Sequence, residues 1–166
     1  MSDAGRDLTL VDAGATAALA QSLARSQPAT AVVHLHGDLG AGKSTLARAW
    51  LRALGVTGAV RSPTYTLVER YPLAGGGEAL HLDLYRIGDA GELEFLGLDD
   101  ADARLWLVEW PERGLAALPA PDLRVRLAVA GEGRSCGLEA GSPAGEAWLA
   151  ALEAPIRLRS VPEPRP

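Results

Sequence analysis

The chain contains no asparagine, and only one of its 16 basic residues is a lysine, Lys43. Without asparagine, the Asn-Lys-x-Asp segment by which GTPases read guanine cannot be written in this sequence. The near-absence of lysine carries a different message. Arginine serves wherever a surface cation is wanted, and one position alone asks for a compact ammonium with three rotatable donors. Cysteine also occurs once, as Cys136, so no intramolecular disulfide can form and a reducing, cytoplasmic compartment is the default expectation. Long apolar runs are missing and the mean hydropathy is +0.06, which argues against a membrane-spanning helix. Residues 1–7 are polar and acidic, unlike the basic start of a secretory leader. Histidine and cysteine do not cluster, so nothing points to zinc. Excess positive charge is lacking too: the formal net charge is −5. That is a poor footprint for gripping nucleic acid unaided, and it favours contact with RNA through a protein partner.

What remains is a chain of 166 residues, 48% hydrophobic and 22% charged, which suits one ordinary domain with a buried core. No internal repeat or linker divides it. Residues 1–155 are expected to form the domain, and the proline-rich residues 156–166 a flexible tail. Residues 13–25 carry Ala15, Leu19 and Leu23 at helical spacing behind a capping Asp12. Residues 31–36 read as a buried strand, and residues 43–54 as a helix stopped by Gly55. Strands are expected at 65–71 and 79–85. The short Pro72-to-Gly77 turn between them requires an antiparallel hairpin. A short helix at 89–96, a buried strand at 105–108, further strands at 123–129 and 135–139, and a helix at 142–153 capped by Ser142 complete the chain. The order predicts an α/β domain with a mixed parallel and antiparallel sheet flanked by helices.

Between the strand at 31–36 and the following helix lies Gly37-Asp38-Leu39-Gly40-Ala41-Gly42-Lys43-Ser44. This G-x-x-x-x-G-K-[ST] pattern stands where a P-loop must stand, after an apolar strand and before a helix. Glycines let backbone amides wrap a phosphate closely, and the helix N-terminus adds a fixed positive end. Lys43 would bridge the β- and γ-phosphates, and the Ser44 hydroxyl would ligate Mg²⁺. Magnesium and water activation also need carboxylates. Two acids end apolar strands. Asp83 alternates with leucines in His81-Leu82-Asp83-Leu84-Tyr85, so His81, Asp83 and Tyr85 share one strand face. Glu109 follows an apolar run, the Walker-B arrangement. Trp110 beside it suits either stacking on adenine or core packing. His34 and His36 read as packing residues, Cys136 as inert. The Leu73-to-Gly77 run, faintly like a transporter ATPase signature, reads as a hairpin turn. Without the guanine motif, the nucleotide expected is ATP. A transporter ATPase would need a longer chain. A small-metabolite kinase fits the size, but no arginine-rich lid follows the loop.

Five blocks together resemble the TsaE family in order and spacing. They are residues 37–45, Ser62-Pro63-Thr64-Tyr65-Thr66-Leu67-Val68-Glu69, the run from His81 to Arg86, Glu92-Leu93-Glu94-Phe95-Leu96-Gly97, and Val108-Glu109-Trp110-Pro111-Glu112. The family's loop usually continues with Thr-Thr. Ser44-Thr45 here keeps the hydroxyl. The resemblance spans roughly residues 10 to 150. It implies an ATPase of bacterial tRNA threonylcarbamoyladenosine synthesis, weak alone and stimulated by TsaB and TsaD, with tRNA engaged indirectly. On matching positions it implies that Gly37, Asp38, Leu39, Gly40, Ala41, Gly42, Lys43, Ser44 and Thr45 bind phosphates. It further implies that Ser44 and Glu109 hold Mg²⁺, that Asp83 assists metal or water, that Thr64 senses the γ-phosphate, and that Trp110 lies near the nucleotide. A metabolite kinase and a nucleotide-gated binding module without useful turnover remain the competing readings.

Overall fold

The computed structural model describes residues 5–152. Seven strands form one sheet in the order β1-β7-β6-β2-β5-β4-β3. Its centre is parallel: β2 (Ala31–His36) lies between β5 (Ala103–Glu109) and β6 (Leu123–Ala130), and β4 (Glu78–Asp83) lies beside β5. Antiparallel strands close both sides. These are β3 (Val68–Pro72) against β4, β7 (Gly133–Ala140) against β6, and β1 (Gly5–Leu10) against β7. The expected α/β class and mixed sheet are therefore present.

The helices follow from local chemistry. Asp12 caps α1 (Ala13–Ser26), its carboxylate accepting from the Ala15 amide at 2.8 Å. Ser142 caps α3 (Pro143–Ala151) in the same way through the Gly145 amide at 3.0 Å. Helix α2 (Lys43–Ala53) ends where Gly55 takes φ +91. The three helices pack into one core with the inward residues of β1, β2, β5, β6 and β7. Trp50 of α2 meets Trp148 of α3 edge to face at 5.8 Å. Each indole N–H is satisfied, by Gln27 Oε1 at 2.8 Å and by the Leu23 carbonyl at 3.2 Å, so both rings bury apolar area without an orphaned donor.

The opposite side of β4 and β5 is covered by four 3₁₀ segments: Ala90–Leu96, Leu98–Asp100, Pro111–Arg113 and Leu115–Ala117. They bury Leu80, Leu82, Leu84 and Val108 in a second, smaller core. The short helix expected at 89–96 is thus a 3₁₀ segment behind an Asp89 cap, terminated by Gly97 at φ +67. Residues 65–67 are not strand. Their turn is closed by the Leu67 amide on the Pro63 carbonyl at 2.9 Å, with Leu67 at φ +67. β4 stops at Asp83 rather than Tyr85, because the Tyr85 amide turns back to the Asp83 carboxylate at 3.0 Å. The hairpin turn at Leu73-to-Gly77 is confirmed by the Leu73 amide on the Gly77 carbonyl at 2.9 Å. β1 was not expected from its short, polar-interrupted sequence. Glu153 and the expected tail lie outside the described residues.

Candidate functional site

The C-terminal ends of β2, β4 and β5 lie side by side, with Leu35 in register with Glu109 and Glu109 in register with Asp83. Partners in a ladder point to the same face. Both carboxylates are therefore delivered to the side of the sheet on which α2 begins.

Two glycines make the loop after β2 fit. Gly37 has φ +151, and a methyl there would stand 2.5 Å from the Leu127 carbonyl oxygen of β6. Gly42 has φ +105 and is the N-cap of α2, whose first turn carries no side-chain cap. The first-turn amides of an 11-residue helix thus face the loop's concavity, an electropositive end suited to an anion.

Lys43 is buried, its ammonium donating to the Gly37 carbonyl and lying 3.7 Å over the Trp110 ring. Burial lowers its pKa, opposed by the charges of Glu109 and then Asp83. The Ser44 hydroxyl bonds the Glu109 carboxylate, 3.0 and 3.1 Å from its two oxygens. His81 meets the same carboxylate at 2.6 Å, and both residues are 2% exposed. With the carboxylate accepting, His81 carries its proton on Nε2, and Nδ1 is buried without a partner. Asp83 bonds the Thr64 hydroxyl at 3.4 Å, and Thr64 pairs with Ser62 at 2.7 Å. Burial raises the Asp83 pKa, the Tyr85 amide opposes that, and the Glu109 charge adds to the rise.

These groups enclose a cavity of about 270 Å³, lined by the loop, Thr64, Asp83, Tyr85, Glu109, Trp110 and Arg134. A second cavity of about 210 Å³ lies beyond the loop, against Leu10, Ala13, Thr16, Leu127 and Glu132. Ala41, Gly42, Thr45 and Arg134 border both cavities. The structure therefore gathers Leu39 to Thr45, Thr64, Asp83, Glu109 and Trp110 around one space. Gly37 shapes the loop from behind, and the Asp38 side chain is exposed, its carbonyl accepting the Ala41 amide at 3.0 Å. Trp110 sits at φ +55, and its ring meets Tyr85 at 4.9 Å as well as the lysine.

Two participants escaped sequence reading. His81 was placed on the Asp83 face, but nothing local announced its bond to a residue 28 positions away. Arg134 gave no signal. Its guanidinium reaches back across 93 and 94 positions to the Ala41 and Gly40 carbonyls at 3.0 and 3.2 Å. His34 is buried, its Nε2 unpartnered. Burial, then His36, lower its pKa to about 4. Burial raises the Cys136 thiol to about 12, as an inert core thiol requires.

The donors around Ser44 are hard oxygens, the set Mg²⁺ prefers. Among the described residues no three or more His, Cys, Asp or Glu side chains form a metal-holding group. A cation here would thus need further oxygens from a ligand, as Mg²⁺ does when it binds through one or two carboxylates plus phosphate.

Fold and site together define an α/β protein in which a central parallel strand passes through a glycine loop into a helix, with acids from two neighbouring strands facing that helix. Comparison with known proteins is specific. Residues 10–136 match the family model of threonylcarbamoyl adenosine biosynthesis protein TsaE. The tRNA threonylcarbamoyladenosine biosynthesis protein TsaE of Haemophilus influenzae is 44% identical over 124 residues, 73% of this chain and 77% of that protein. The protein of the same name from Bacillus subtilis is 39% identical over 103 residues, 61% of this chain and 63% of that one. The crystal structure of Bacillus subtilis YdiB superposes with a TM-score of 0.73 at 27% identity, covering 89% of this chain and 93% of the other. The chain belongs to the TsaE family of threonylcarbamoyladenosine biosynthesis proteins.

Proposed function

We propose that the chain is a Mg²⁺-dependent ATPase serving threonylcarbamoyladenosine modification of the adenosine next to the tRNA anticodon, acting through the TsaB–TsaD complex. The observation that carries this reading is the meeting of Lys43, Ser44 and Glu109 at the glycine loop, with Asp83 one strand away. The α2 amides and Lys43 bind the triphosphate. For that, the ammonium exchanges the Gly37 carbonyl for phosphate oxygens, and its contact with Trp110 keeps it aimed along the loop. Ser44 and Glu109 would hold the cation, which would supply neutralisation of the phosphate charge. His81 fixes the Glu109 carboxylate in place.

Asp83 orients the attacking water. Its depressed acidity, due first to burial, suits a group that accepts a proton as the bond to the β–γ bridging oxygen breaks. Thr64, bonded to Asp83, ties the 62–67 turn to the γ-phosphate end of the site. The nucleoside extends from Thr45 into the cavity beyond the loop, whose apolar wall of Leu10, Ala13 and Leu127 suits a base. On this geometry Trp110 serves the lysine side of the loop rather than the adenine. The missing guanine motif supports ATP. Membership of the family supports the tRNA pathway, and no described helix is long and apolar enough to cross a membrane.

The deciding experiment is ATP hydrolysis by the full chain with and without TsaB–TsaD. Turnover that rises with the partners supports the reading. Binding of ATP with turnover indifferent to them would favour a nucleotide-gated module. Phosphate transferred to an added metabolite rather than to water would make the chain a kinase.

A further inference from the structure

Away from the nucleotide site, the 3₁₀ layer over β5 encloses a groove of about 360 Å³, more than either cavity at the loop. Its apolar lining includes Leu93, Leu98, Trp106 and Leu118, and Glu94 and Asp99 stand on its rim. Phe95, the only phenylalanine of the chain, is 89% exposed on the segment that supplies Leu93 and Glu94. Leu115, on the opposing segment, is 57% exposed. Between Ile87 and Ala103 the sequence holds six acids and no base: Asp89, Glu92, Glu94, Asp99, Asp100 and Asp102. Exposed aromatics beside an apolar groove are what interfaces use as anchors, and a one-signed rim selects the partner's charge.

We propose that this groove docks a basic, amphipathic segment of a protein partner, which on the reading above is the TsaB–TsaD complex. Apolar side chains of that segment enter over Trp106 and against Phe95, and its cations meet the acidic rim. The charge excludes the other occupants. A polynucleotide would set phosphates against Glu94 and Asp99. A second copy in a two-fold contact would bring the same acids face to face.

The groove is also mechanically joined to the nucleotide site. Trp106 lies on the strand that ends in Glu109, and the wall formed by Ala116, Ala117 and Leu118 follows Trp110 in the chain. Gly114 is wedged between the two regions: a methyl there would stand 2.8 Å from Leu84, next to Asp83, and 3.0 Å from Leu93 of the groove. Filling the groove therefore bears on both carboxylate strands, which gives a partner a route to turnover without entering the site.

The test is calorimetric titration of TsaB–TsaD into the full chain and into Phe95→Ser, Glu94→Arg and Asp99→Arg, with ATP affinity and circular dichroism as folding controls. None of the three residues lines the cavities at the glycine loop, so ATP affinity should not change. Partner affinity should fall by about tenfold or more in each variant. In the parent it should weaken as salt rises. Variants that bind the partners as tightly as the parent overturn the groove assignment alone. A parent chain that binds ATP but not TsaB–TsaD overturns the proposed partnership, and the groove's occupant with it.

Discussion

Removing His81 should destabilise the protein even with no nucleotide present, and the loss should depend on Glu109. Both side chains are 2% exposed and 2.6 Å apart. A buried hydrogen bond to a charged acceptor contributes about 1.5–3 kcal/mol, and truncating a buried ring adds the cost of the void it leaves. His81→Ala should therefore cost about 3 kcal/mol, and Glu109→Ala about the same, because it strands the imidazole N–H. If the two form one unit, the double variant should cost about 4 kcal/mol rather than about 6. The assay is urea unfolding at neutral pH without Mg²⁺ or nucleotide, with m-values compared so that only midpoint shifts count. His81→Gln, which keeps an N–H donor, should recover part of the loss. Additivity within about 0.5 kcal/mol would refute the pairing, because independent sites behave that way.

Lys43→Ala should abolish hydrolysis and weaken ATP binding by more than tenfold, as measured by isothermal calorimetry. Full activity in that variant would sink the loop assignment. His34 predicts a stability slope in mild acid. Its folded pKa of about 4 lies below the ordinary 6.5, so the unfolded chain takes the proton first as pH falls. Stability should thus be flat above about pH 6.5 and fall by up to about 3 kcal/mol toward pH 4, with His36 adding in the same direction. Urea midpoints across that range should show a shallower slope in His34→Gln. Cys136, buried and raised to about 12, should ignore a thiol reagent such as DTNB in the folded protein and react at once in denaturant.

Apart from β1, the order of strands and helices was legible because the elements announced themselves locally. Asp12 and Ser142 are caps, 31–36 is mostly apolar around its two histidines, and the glycine turn at 73–77 leaves room only for a hairpin. The same local logic explains the failures. Residues 65–67 have strand-forming side chains, but the Asp83 amide claims the Leu67 carbonyl at 3.0 Å and holds Leu67 at φ +67, a tertiary demand invisible to propensity. β1 is an edge strand whose hydrogen bonds all come from β7, more than a hundred residues away. The 89–96 segment was expected as a short helix, yet it winds as 3₁₀ behind its Asp89 cap, with Leu93 packed against Leu80, Leu82 and Leu84.

The candidate site divides along the same line. Its glycine-loop half is contiguous in sequence and reads directly from eight residues. Its acidic half is assembled by register alone. Asp83 and Glu109 meet because β4 and β5 are parallel and in step, and a shift of one residue would turn either carboxylate to the opposite face. The pieces least visible in the sequence, His81 behind Glu109 and Arg134 behind the loop, are those that hold visible pieces still. A side chain that binds phosphate must carry a recognisable chemistry. One that only positions another needs the right distance, which a sequence does not record. The lone lysine shows the difference: arginine satisfies every other cationic position in this chain, but the loop floor, closed by Trp110 at 3.7 Å, has room for an ammonium and a stem. Lys43→Arg should therefore behave as a loss rather than a conservative change, with the guanidinium forced outward from the loop and hydrolysis lost while the fold persists.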